Sequence, residues 1–266
     1  MSLMTRVLAP ITSNRPAQFV LERTVKQCLQ LMGVGSGTDA WSSGERTMIE
    51  GVLAQTSATT PCFFDVGANK GQFLSLLLSV LGNRAATIHS FEPSSEAFSH
   101  LQSVARRDER VRINNTALGS CSGTATLFAD QPGSGMGSLT KRSLGYRKLT
   151  FDHEESVEVT TLDEYCESHG VAQINLLKMD VEGHELNVLE GARRMLSENA
   201  IGAITFEFGG CNIDTRTYFQ DFFFYLTDAK MQVYRISPGG YACPVRQYRE
   251  IYEQFRTTNF LATRAA

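Results

Sequence analysis

Residues 62–73 read CFFDVGANKGQF, and this stretch decides the fold. Apolar residues run into Asp65, a short loop holds Gly67 and Gly71, and the residues that follow are apolar over the length of a helix. The pattern predicts a β-strand, a tight turn and the start of an α-helix. Because doubly wound sheets bind nucleotide-like cofactors at such a turn, the stretch predicts a cofactor site.

The chain beyond this stretch alternates between strand patterns and helix patterns. Strand-length apolar runs occur at residues 86–91, 111–118, 123–128, 157–160, 174–179, 203–208, 231–236 and 258–263. Helical patterns separate most of them, at residues 94–107, 161–168, 184–198 and 215–228. Strands that alternate with helices form a mostly parallel sheet covered on both faces. The sequence therefore predicts an α/β, Rossmann-like doubly wound fold.

The first 60 residues carry a different pattern. Residues 1–16 show little periodicity and are expected to be extended or disordered, whereas apolar residues recur at helical spacing over 17–33. Ser42 and Glu45 have the spacing of a capping box before a second helical segment. We predict a helical extension over residues 1–60 and a cofactor-binding domain over 61–266. The extension either packs as a layer or closes over the cofactor, and its apolar patches are compatible with a homodimer.

Composition excludes several classes of protein. The chain has 266 residues and a net charge of −3, so no large basic surface for nucleic acid is expected. No apolar run reaches the length of a membrane span, and the N-terminus lacks a secretory pattern. The six cysteines are scattered, with no CxxC pair, which favours reduced thiols and a cytoplasmic location.

The charge of the first loop discriminates between cofactors. A dinucleotide fingerprint uses three glycines so that a pyrophosphate can approach the helix N-terminus, and only Gly67 and Gly71 are present here. Asp65 would repel a pyrophosphate and would suit a cationic ligand. S-adenosylmethionine carries an ammonium and a sulfonium group and no phosphate. The loop therefore favours S-adenosylmethionine over NAD.

An acidic residue at the end of the second predicted strand supports an adenosine-containing cofactor. Glu92 follows the strand ending at Phe91 and precedes Pro93. A carboxylate at this place can accept hydrogen bonds from both ribose hydroxyls.

Five runs between about residue 60 and residue 263 form a recognisable pattern, and they read FFDVGANKGQF, SFEP, NTALGSCSGTATLF, TTLDEY and LLKMDVEGHELNVLEGA. Together they resemble the FkbM family of S-adenosylmethionine-dependent methyltransferases. The resemblance implies the class I methyltransferase fold, a mostly parallel sheet with one antiparallel strand near the C-terminus. It also implies methyl transfer to oxygen, on a hydroxyl of a sugar, glycan or polyketide-type small molecule.

The resemblance also implies roles for particular residues. The methionine side of the pocket would be formed by Asp65, Gly67, Asn69 and Gly71. Glu92 would hold the ribose, Ala117 and Leu118 would line the adenine, and Asp180 and Glu182 would lie beside the methyl group.

The residues themselves indicate a set of acids and one histidine at the sheet edge. Asp180 ends the apolar strand 174–179, and Glu182 and His184 follow it at once. Glu207 lies near the end of the next apolar strand, at an edge where ligands bind. We predict Asp180, Glu182, His184 and Glu207 as the catalytic group, with Glu182, His184 or Glu207 as a general base. The alternative is a divalent cation between Asp180 and Glu207, with Asp214 as a third ligand; a side-chain base is favoured.

A glycine-rich loop separates the two halves of the predicted domain. It spans residues 130–155, and its section from Gly133 to Gly145, with Lys141 and Arg142, is either a lid over the acceptor or a disordered surface loop.

The sequence thus predicts a cytoplasmic O-methyltransferase that uses S-adenosylmethionine and a small-molecule or glycan acceptor. The segment after the fourth strand, Met-Asp-Val-Glu, lacks the Pro-Pro-aromatic pattern of enzymes that methylate nucleic-acid bases. Two other classes stay open at this point: an S-adenosylmethionine-binding protein without catalysis, and an NAD-type oxidoreductase.

Overall fold

The structure is a computed structural model that describes residues 3–35 and 44–264. Its strands are β1 (Cys62–Val66), β2 (Thr87–Phe91), β3 (Val111–Asn114), β4 (Ala117–Leu118), β5 (Gly123–Ala129), β6 (His153–Thr160), β7 (Ile174–Met179), β8 (Ile201–Phe208), β9 (Met231–Ile236), β10 (Ala242–Val245) and β11 (Thr258–Arg264). Its α-helices are α1 (Leu3–Thr12), α2 (Arg15–Leu31), α3 (Glu45–Gln55), α4 (Gln72–Leu81), α5 (Ser95–Ala105), α6 (Leu162–His169), α7 (Glu185–Glu190), α8 (Arg193–Ser197), α9 (Cys211–Thr215) and α10 (Phe219–Asp228).

An eight-stranded sheet forms the centre of the structure. Its strand order is β10-β9-β11-β8-β7-β1-β2-β3. The strands from β3 to β8 in this order pair in parallel, and β11 pairs antiparallel with both β8 and β9. The chain order reverses between β1 and β7, which makes their carboxyl ends the switch point of the sheet. The predicted α/β doubly wound fold is confirmed.

Each face of this sheet is covered by helices because the central strands are apolar on both faces. Side chains such as Phe64, Leu177 and Phe206 pack with helices α6, α7, α8 and α10 on one face. On the other face, Phe63 and Leu176 pack with α3, α4 and α5. Successive side chains of a strand point to opposite faces, so the two layers share each strand.

A second, three-stranded sheet lies beside the first, in the order β4-β6-β5. The run predicted as one strand over 111–118 divides between the two sheets, with 111–114 in the large sheet and 117–118 in the small one. Strand β6 begins at His153, four residues before the predicted strand, because it pairs along the whole length of β5.

Three further predictions about elements are corrected. Residues 3–12 form helix α1 in a segment expected to be extended or disordered. The helix predicted over 184–198 breaks at Gly191, where an added Cβ would lie 2.1 Å from the carbonyl oxygen of Gly119. The C-terminal half contains a second antiparallel strand, the edge strand β10, in addition to β11.

The helices before β1 differ in how they pack. Helix α3 buries Met48 and Ile49 against the sheet, whereas no residue of α2 is buried in the described part of the chain. Ser42, of the predicted capping box, lies outside the described residues. None of the described helices combines the length and the hydropathy that crossing a membrane requires.

Substitution of Phe206 tests the assignment of the hydrophobic core. It is 2% exposed, and its ring stacks between Phe222 and Phe260 at centroid distances of 4.9 and 5.4 Å. We expect Phe206→Ala to lower the free energy of unfolding by about 3–5 kcal/mol, because it leaves a cavity in a close-packed layer. Chemical denaturation measures this loss. Phe224→Ala, at a residue that is 48% exposed on α10, is the matched control and should change stability little; equal losses would contradict the assignment of the core.

Candidate active site

A cleft opens at the carboxyl ends of β1, β2 and β7, with the small sheet as its far wall. Counted out to its open mouth, it encloses about 780 Å³. Its walls include Gly67, Asn69, Glu92, Ala117, Leu118, Asp180, Glu182 and His184. The structure thus brings together eight of the sequence-predicted site residues in one concavity. A concavity with both polar and apolar walls at the switch point of a sheet is the usual form of a small-molecule site.

The turn after β1 is held against the turn after β7. Gly67 has a φ of 75°, and an added Cβ would lie 1.9 Å from the carbonyl oxygen of Asp180. The position therefore requires glycine for both its backbone conformation and its close approach. Gly71, with a φ of 88°, precedes α4 and packs against Leu101 and Val104, so it shapes the turn from behind the cleft.

Glu92 is a buried carboxylate at the end of β2. Its Oε2 accepts a hydrogen bond from the Asn69 amide at 2.8 Å, and its Oε1 accepts one from the Ser94 amide at 2.9 Å. Burial raises the pKa of Glu92 to about 7, and these two backbone donors oppose the shift. The carboxylate is therefore fixed in position, with acceptor capacity left for a ligand in the cleft.

The opposite wall near Glu92 is apolar. Ala117, Leu118 and Leu127 of the small sheet line the cleft there. Such a surface can cover the faces of a flat aromatic base.

The turn from Asp180 to Glu185 forms the other end of the cleft. Glu182 has a φ of 51° and Gly183 a φ of 102°, so two successive residues adopt the left-handed region. Glu185, which is fully buried, accepts hydrogen bonds from the amides of Val181 and Gly183 at 3.0 and 3.3 Å. Strain in a non-glycine residue is often found at functional sites, where surrounding contacts maintain it. Here Glu185 supplies those contacts.

The Glu182 carboxylate is held by an arginine from the glycine-rich loop. Arg142 Nη1 donates to Glu182 Oε2 at 2.6 Å, and Arg142 Nε lies 3.6 Å from Asp214 Oδ2. Burial, together with Asp180, raises the pKa of Glu182 to about 8, and the Arg142 guanidinium opposes this shift. The interaction also joins the loop to the turn from Asp180 to Glu185.

His184 is hydrogen-bonded through both ring nitrogens. Nδ1 lies 3.1 Å from Asn187 Oδ1, and Nε2 lies 3.0 Å from the Thr140 hydroxyl. Because an amide oxygen only accepts, Nδ1 carries the proton in this arrangement and Nε2 has the lone pair. Burial lowers the pKa of His184, against the hydrogen bond to Asn187. The ring is therefore neutral at neutral pH.

The glycine-rich loop is folded across the cleft. Ser138 Oγ donates to the carbonyl of Glu182 at 2.8 Å, and a backbone bridge joins Ser138 to Phe128 of β5. At Gly135 an added Cβ would lie 2.8 Å from the side-chain nitrogen Nδ2 of Asn69. The loop thus contacts both ends of the cleft and narrows its mouth.

Asp65 was predicted to form the methionine side of the cofactor pocket, but its side chain is not among those that line the cleft. Val66 lines the cleft, and Asp65, one residue earlier on the strand, points to the opposite face of the sheet. Its fully buried carboxylate lies 3.4 Å from Lys178 Nζ, and the same ammonium lies 3.7 Å from Asp180 Oδ2 and 3.3 Å from the Gly67 carbonyl. The negative charge of Asp65 is compensated within the protein, so the electrostatic argument from this residue to a cationic ligand does not apply.

Glu207 lines a second, smaller cavity, which we call the edge cavity. It encloses about 310 Å³ below α3, and it is lined by Glu45, Met48, Lys178, Met179, Asp180, Thr205, Phe206, Glu207 and Asn259. Burial raises the pKa of Glu207, and nearby Asp180 and Glu182 add to the shift. Asp180 lines both spaces and therefore stands between the cleft and the edge cavity.

The predicted third metal ligand has a different environment. Asp214 accepts a hydrogen bond from the Ser143 amide at 3.1 Å and lies beside Arg142, away from the edge cavity. Across residues 3–35 and 44–264, no group of three histidine, cysteine, aspartate or glutamate side chains has the arrangement of a metal site.

The contacts of two basic residues, Lys178 and Arg142, were not predicted from the sequence. Lys178 stands inside the otherwise apolar run INLLKM, and a lone lysine in a buried strand was the available signal. No sequence pattern near Arg142 indicated its ion pair with Glu182, because the two residues are 40 positions apart in the chain. His153 and Glu155 also line the cleft, from a strand that was predicted to begin after them.

The cleft fits S-adenosylmethionine on observations of its polar atoms. Glu92 offers a fixed carboxylate to ribose hydroxyls, and the apolar wall offers a surface to adenine. Asn69 Oδ1 is buried and has no hydrogen-bond partner among the described residues. An unsatisfied buried acceptor is costly, and a ligand ammonium would satisfy it.

The switch-point sheet and this cleft define a class I methyltransferase fold. The Methyltransferase FkbM domain matches residues 65–235, and the chain therefore belongs to the FkbM methyltransferase family. The resemblance noted in the sequence is confirmed.

Curated relatives match part of the chain. The 2-O-methyltransferase NoeI of Sinorhizobium fredii is 26% identical over 52% of the chain, and the hexuronic acid methyltransferase AglP of Haloferax volcanii is 28% identical over 58%. The 31-O-demethyl-FK506 methyltransferase FkbM of Streptomyces tacrolimicus is 31% identical over 48%. The matches span 60%, 58% and 58% of the lengths of these relatives.

Solved structures give weaker similarities. A methyltransferase FkbM from Methylobacillus flagellatus is 17% identical with a TM-score of 0.49, over 78% of this chain and 45% of that one. Fibrillarin from Aeropyrum pernix, solved with natively bound S-adenosyl-L-methionine, is 12% identical with a TM-score of 0.45, over 84% and 76%.

The buried ion pair between Lys178 and Asp65 beneath the cleft is expected to stabilise the fold. Lys178→Met leaves the Asp65 carboxylate buried without its cation, so we expect unfolding to become easier by about 3–5 kcal/mol at neutral pH. Burial raises the pKa of Asp65 in the folded protein and Lys178 opposes this shift, so removing Lys178 moves that pKa further above its unfolded value. The deficit should therefore shrink as the pH falls and Asp65 becomes protonated.

Denaturation curves at several pH values measure this effect. The matched control is Lys141→Met, at an exposed lysine 3.3 Å from Asp152, which should change stability little. The double variant Asp65→Asn/Lys178→Met should recover much of the loss. A Lys178→Met protein as stable as the wild type would show that the pair does not support the fold.

Proposed function

We propose that this chain transfers a methyl group from S-adenosylmethionine to a hydroxyl of a sugar, glycan or polyketide-type small molecule. The observation that carries the proposal is one cleft with two chemically different ends. A fixed carboxylate, Glu92, and an apolar wall lie at one end, and the strained turn with Asp180, Glu182 and His184 lies at the other. Membership of the FkbM family supports methyl transfer over the NAD-type alternative.

The proposed reaction is an in-line displacement. S-adenosylmethionine, when bound, supplies a methyl group on a sulfonium that leaves as a neutral thioether. Glu92 would accept from the ribose hydroxyls, and Asn69 Oδ1 would accept from the ammonium. The protein then contributes mainly by fixing the donor and acceptor at near-attack distance. The folded glycine-rich loop would exclude water from the cleft.

The edge cavity supports an acceptor with several hydroxyls. It adjoins the cleft at Asp180, and Lys178, Thr205, Glu207 and Asn259 give it polar walls. Thr205 Oγ1 is buried there without a hydrogen-bond partner among the described residues. Acceptor hydroxyls could pair with such groups. One of the relatives, AglP, is a hexuronic acid methyltransferase, and this supports the same class of acceptor.

His184 is the favoured general base among the three candidates. His184 lines the cleft, its Nε2 accepts a hydrogen bond from the neutral Thr140 hydroxyl that an acceptor hydroxyl would replace, and its lowered pKa keeps it free of a proton at neutral pH. The Glu182 carboxylate is occupied by Arg142, and the raised pKa of Glu207 favours its protonated form. We assign Glu182 to holding the loop and Glu207 to donating a hydrogen bond to the acceptor. No divalent cation takes part in this proposal.

The affinity for the cofactor should depend on pH through Glu92. The ionised carboxylate is the better acceptor for ribose hydroxyls, and its pKa is about 7. We expect the dissociation constant for S-adenosylmethionine to fall roughly tenfold between about pH 6 and pH 8, as Glu92 loses its proton. Isothermal titration calorimetry measures it. Glu92→Gln should bind more weakly and without this dependence. Glu96→Gln, at an exposed residue on α5, is the control and should keep it.

Turnover is tested with labelled S-adenosylmethionine and a panel of hexuronic acids, oligosaccharides and polyketide alcohols. We expect methyl transfer to at least one hydroxyl, and His184→Gln should reduce kcat by about 10²–10⁴-fold with cofactor affinity unchanged. His100→Gln, at an exposed histidine, is the matched control. Cofactor binding without turnover on any acceptor class would favour a binding protein instead. A fully active His184→Gln enzyme would remove the histidine from the role of base.

A further inference from the structure

Helices α1 and α2 expose apolar side chains that no described part of the chain covers. On α1 these are Val7, Leu8 and Ile11, and on α2 they include Val20, Leu21, Val25 and Leu31. Val20 is 60% exposed and Val25 is 55% exposed. Solitary apolar residues on a surface are ordinary, but a contiguous apolar face indicates an interaction site.

Most of the apolar residues of α2 form one stripe. At 100° per residue, Ala17, Val20, Leu21, Val25, Cys28 and Leu31 fall within an arc of about 140°, which also holds Thr24. The opposite side carries Arg15, Arg23 and Lys26, and also Phe19, whose ring centroid lies 4.9 Å from the Arg23 guanidinium carbon. The helix is therefore amphipathic, and none of its residues is buried in the described part of the chain.

The charge of this segment is opposite to that of the remaining chain. Residues 3–31 hold four basic side chains and one acidic side chain, Glu22, for a net charge of +3. The whole chain has a charge of −3, so the rest carries −6. An apolar stripe with a basic polar face is the pattern of a helix that lies in the interface of an anionic membrane.

The end of α2 is fixed to the catalytic edge of the sheet. The Gly35 amide donates to the Thr257 carbonyl at 2.8 Å, and the next residue, Thr258, pairs with Phe208 at the carboxyl end of β8. A surface bound by α1 and α2 would thus lie on the side of the molecule where the cleft and the edge cavity lie.

We propose that α1 and α2 form a docking surface for an anionic lipid bilayer, with the apolar stripe in the headgroup region and the basic residues against lipid phosphates. Charge favours this occupant over a second copy of the chain. Two copies paired through this face would bring together two segments that each keep a charge of +3 after Glu22 is counted. An anionic surface attracts the same charges.

The full-length chain is tested by co-sedimentation with vesicles of phosphatidylcholine alone and of equal parts phosphatidylcholine and phosphatidylglycerol. We expect binding to the mixed vesicles that weakens with added salt, and little binding to phosphatidylcholine. The double variant Val20→Gln/Val25→Gln should lower the affinity at least about tenfold, because it removes two apolar side chains from the stripe. Arg23→Gln should lower it about fivefold.

Ile251→Gln is the matched control, since Ile251 is 60% exposed on another part of the surface and should have no effect. Circular dichroism and cofactor affinity check that each variant is folded. Equal binding to both kinds of vesicle, no binding to either, or wild-type binding by the double variant would overturn the proposal. So would a dimer of the wild type in analytical ultracentrifugation that Val20→Gln/Val25→Gln converts to a monomer, because the face would then belong to a second copy.

Discussion

The buried contact between Lys178 and Asp65 joins the two central strands whose carboxyl ends carry the cleft. The ammonium of Lys178 joins β7 to β1 through the Asp65 carboxylate, and it also reaches the Gly67 carbonyl and Asp180. Although burial disfavours its charge, Asp65 and Asp180 raise the pKa of Lys178 above the usual value. One cation thereby fixes the two turns from which the cleft is built. A charge at this depth is stable only because several acceptors surround it.

The rigidity of the two turns extends to the rest of the cleft through short polar contacts. The Asn69 amide fixes Glu92, Glu185 holds the turn that contains Glu182, and Arg142 brings the glycine-rich loop onto that turn. Glu92 and Glu185 are buried and Glu182 is partly buried, and loss of solvent raises the pKa of each toward or above neutrality. The site therefore concentrates carboxyl groups whose protonation can change near neutral pH, which is typical of catalytic clefts.

The face of the strand on which a side chain lies decides whether it lines the cleft or the edge cavity. Even in one short strand, Val66 faces the cleft side and Asp65 faces the helices on the other side, because successive side chains alternate. The edge cavity arises in the same way, since Lys178 of β7 pairs with Thr205 of β8, and Glu207, two residues further along β8, lies on the same face. Helix α3 covers that face, and the more exposed α1 and α2 leave the sheet at the same edge.

The sequence alone determined the bounds of β7 and β9, the doubly wound fold, the family and most of the cleft residues, because these depend on local hydrophobic patterns and on adjacent motifs. The tertiary structure decided the features that no local sequence pattern can encode. It set the direction of the Asp65 side chain, the pairing of Arg142 with Glu182, the separation of Glu207 into its own cavity, and the division of residues 111–118 between two sheets. These features depend on contacts between residues far apart in the chain, and their energies come from burial and charge pairing that exist only after the strands have assembled.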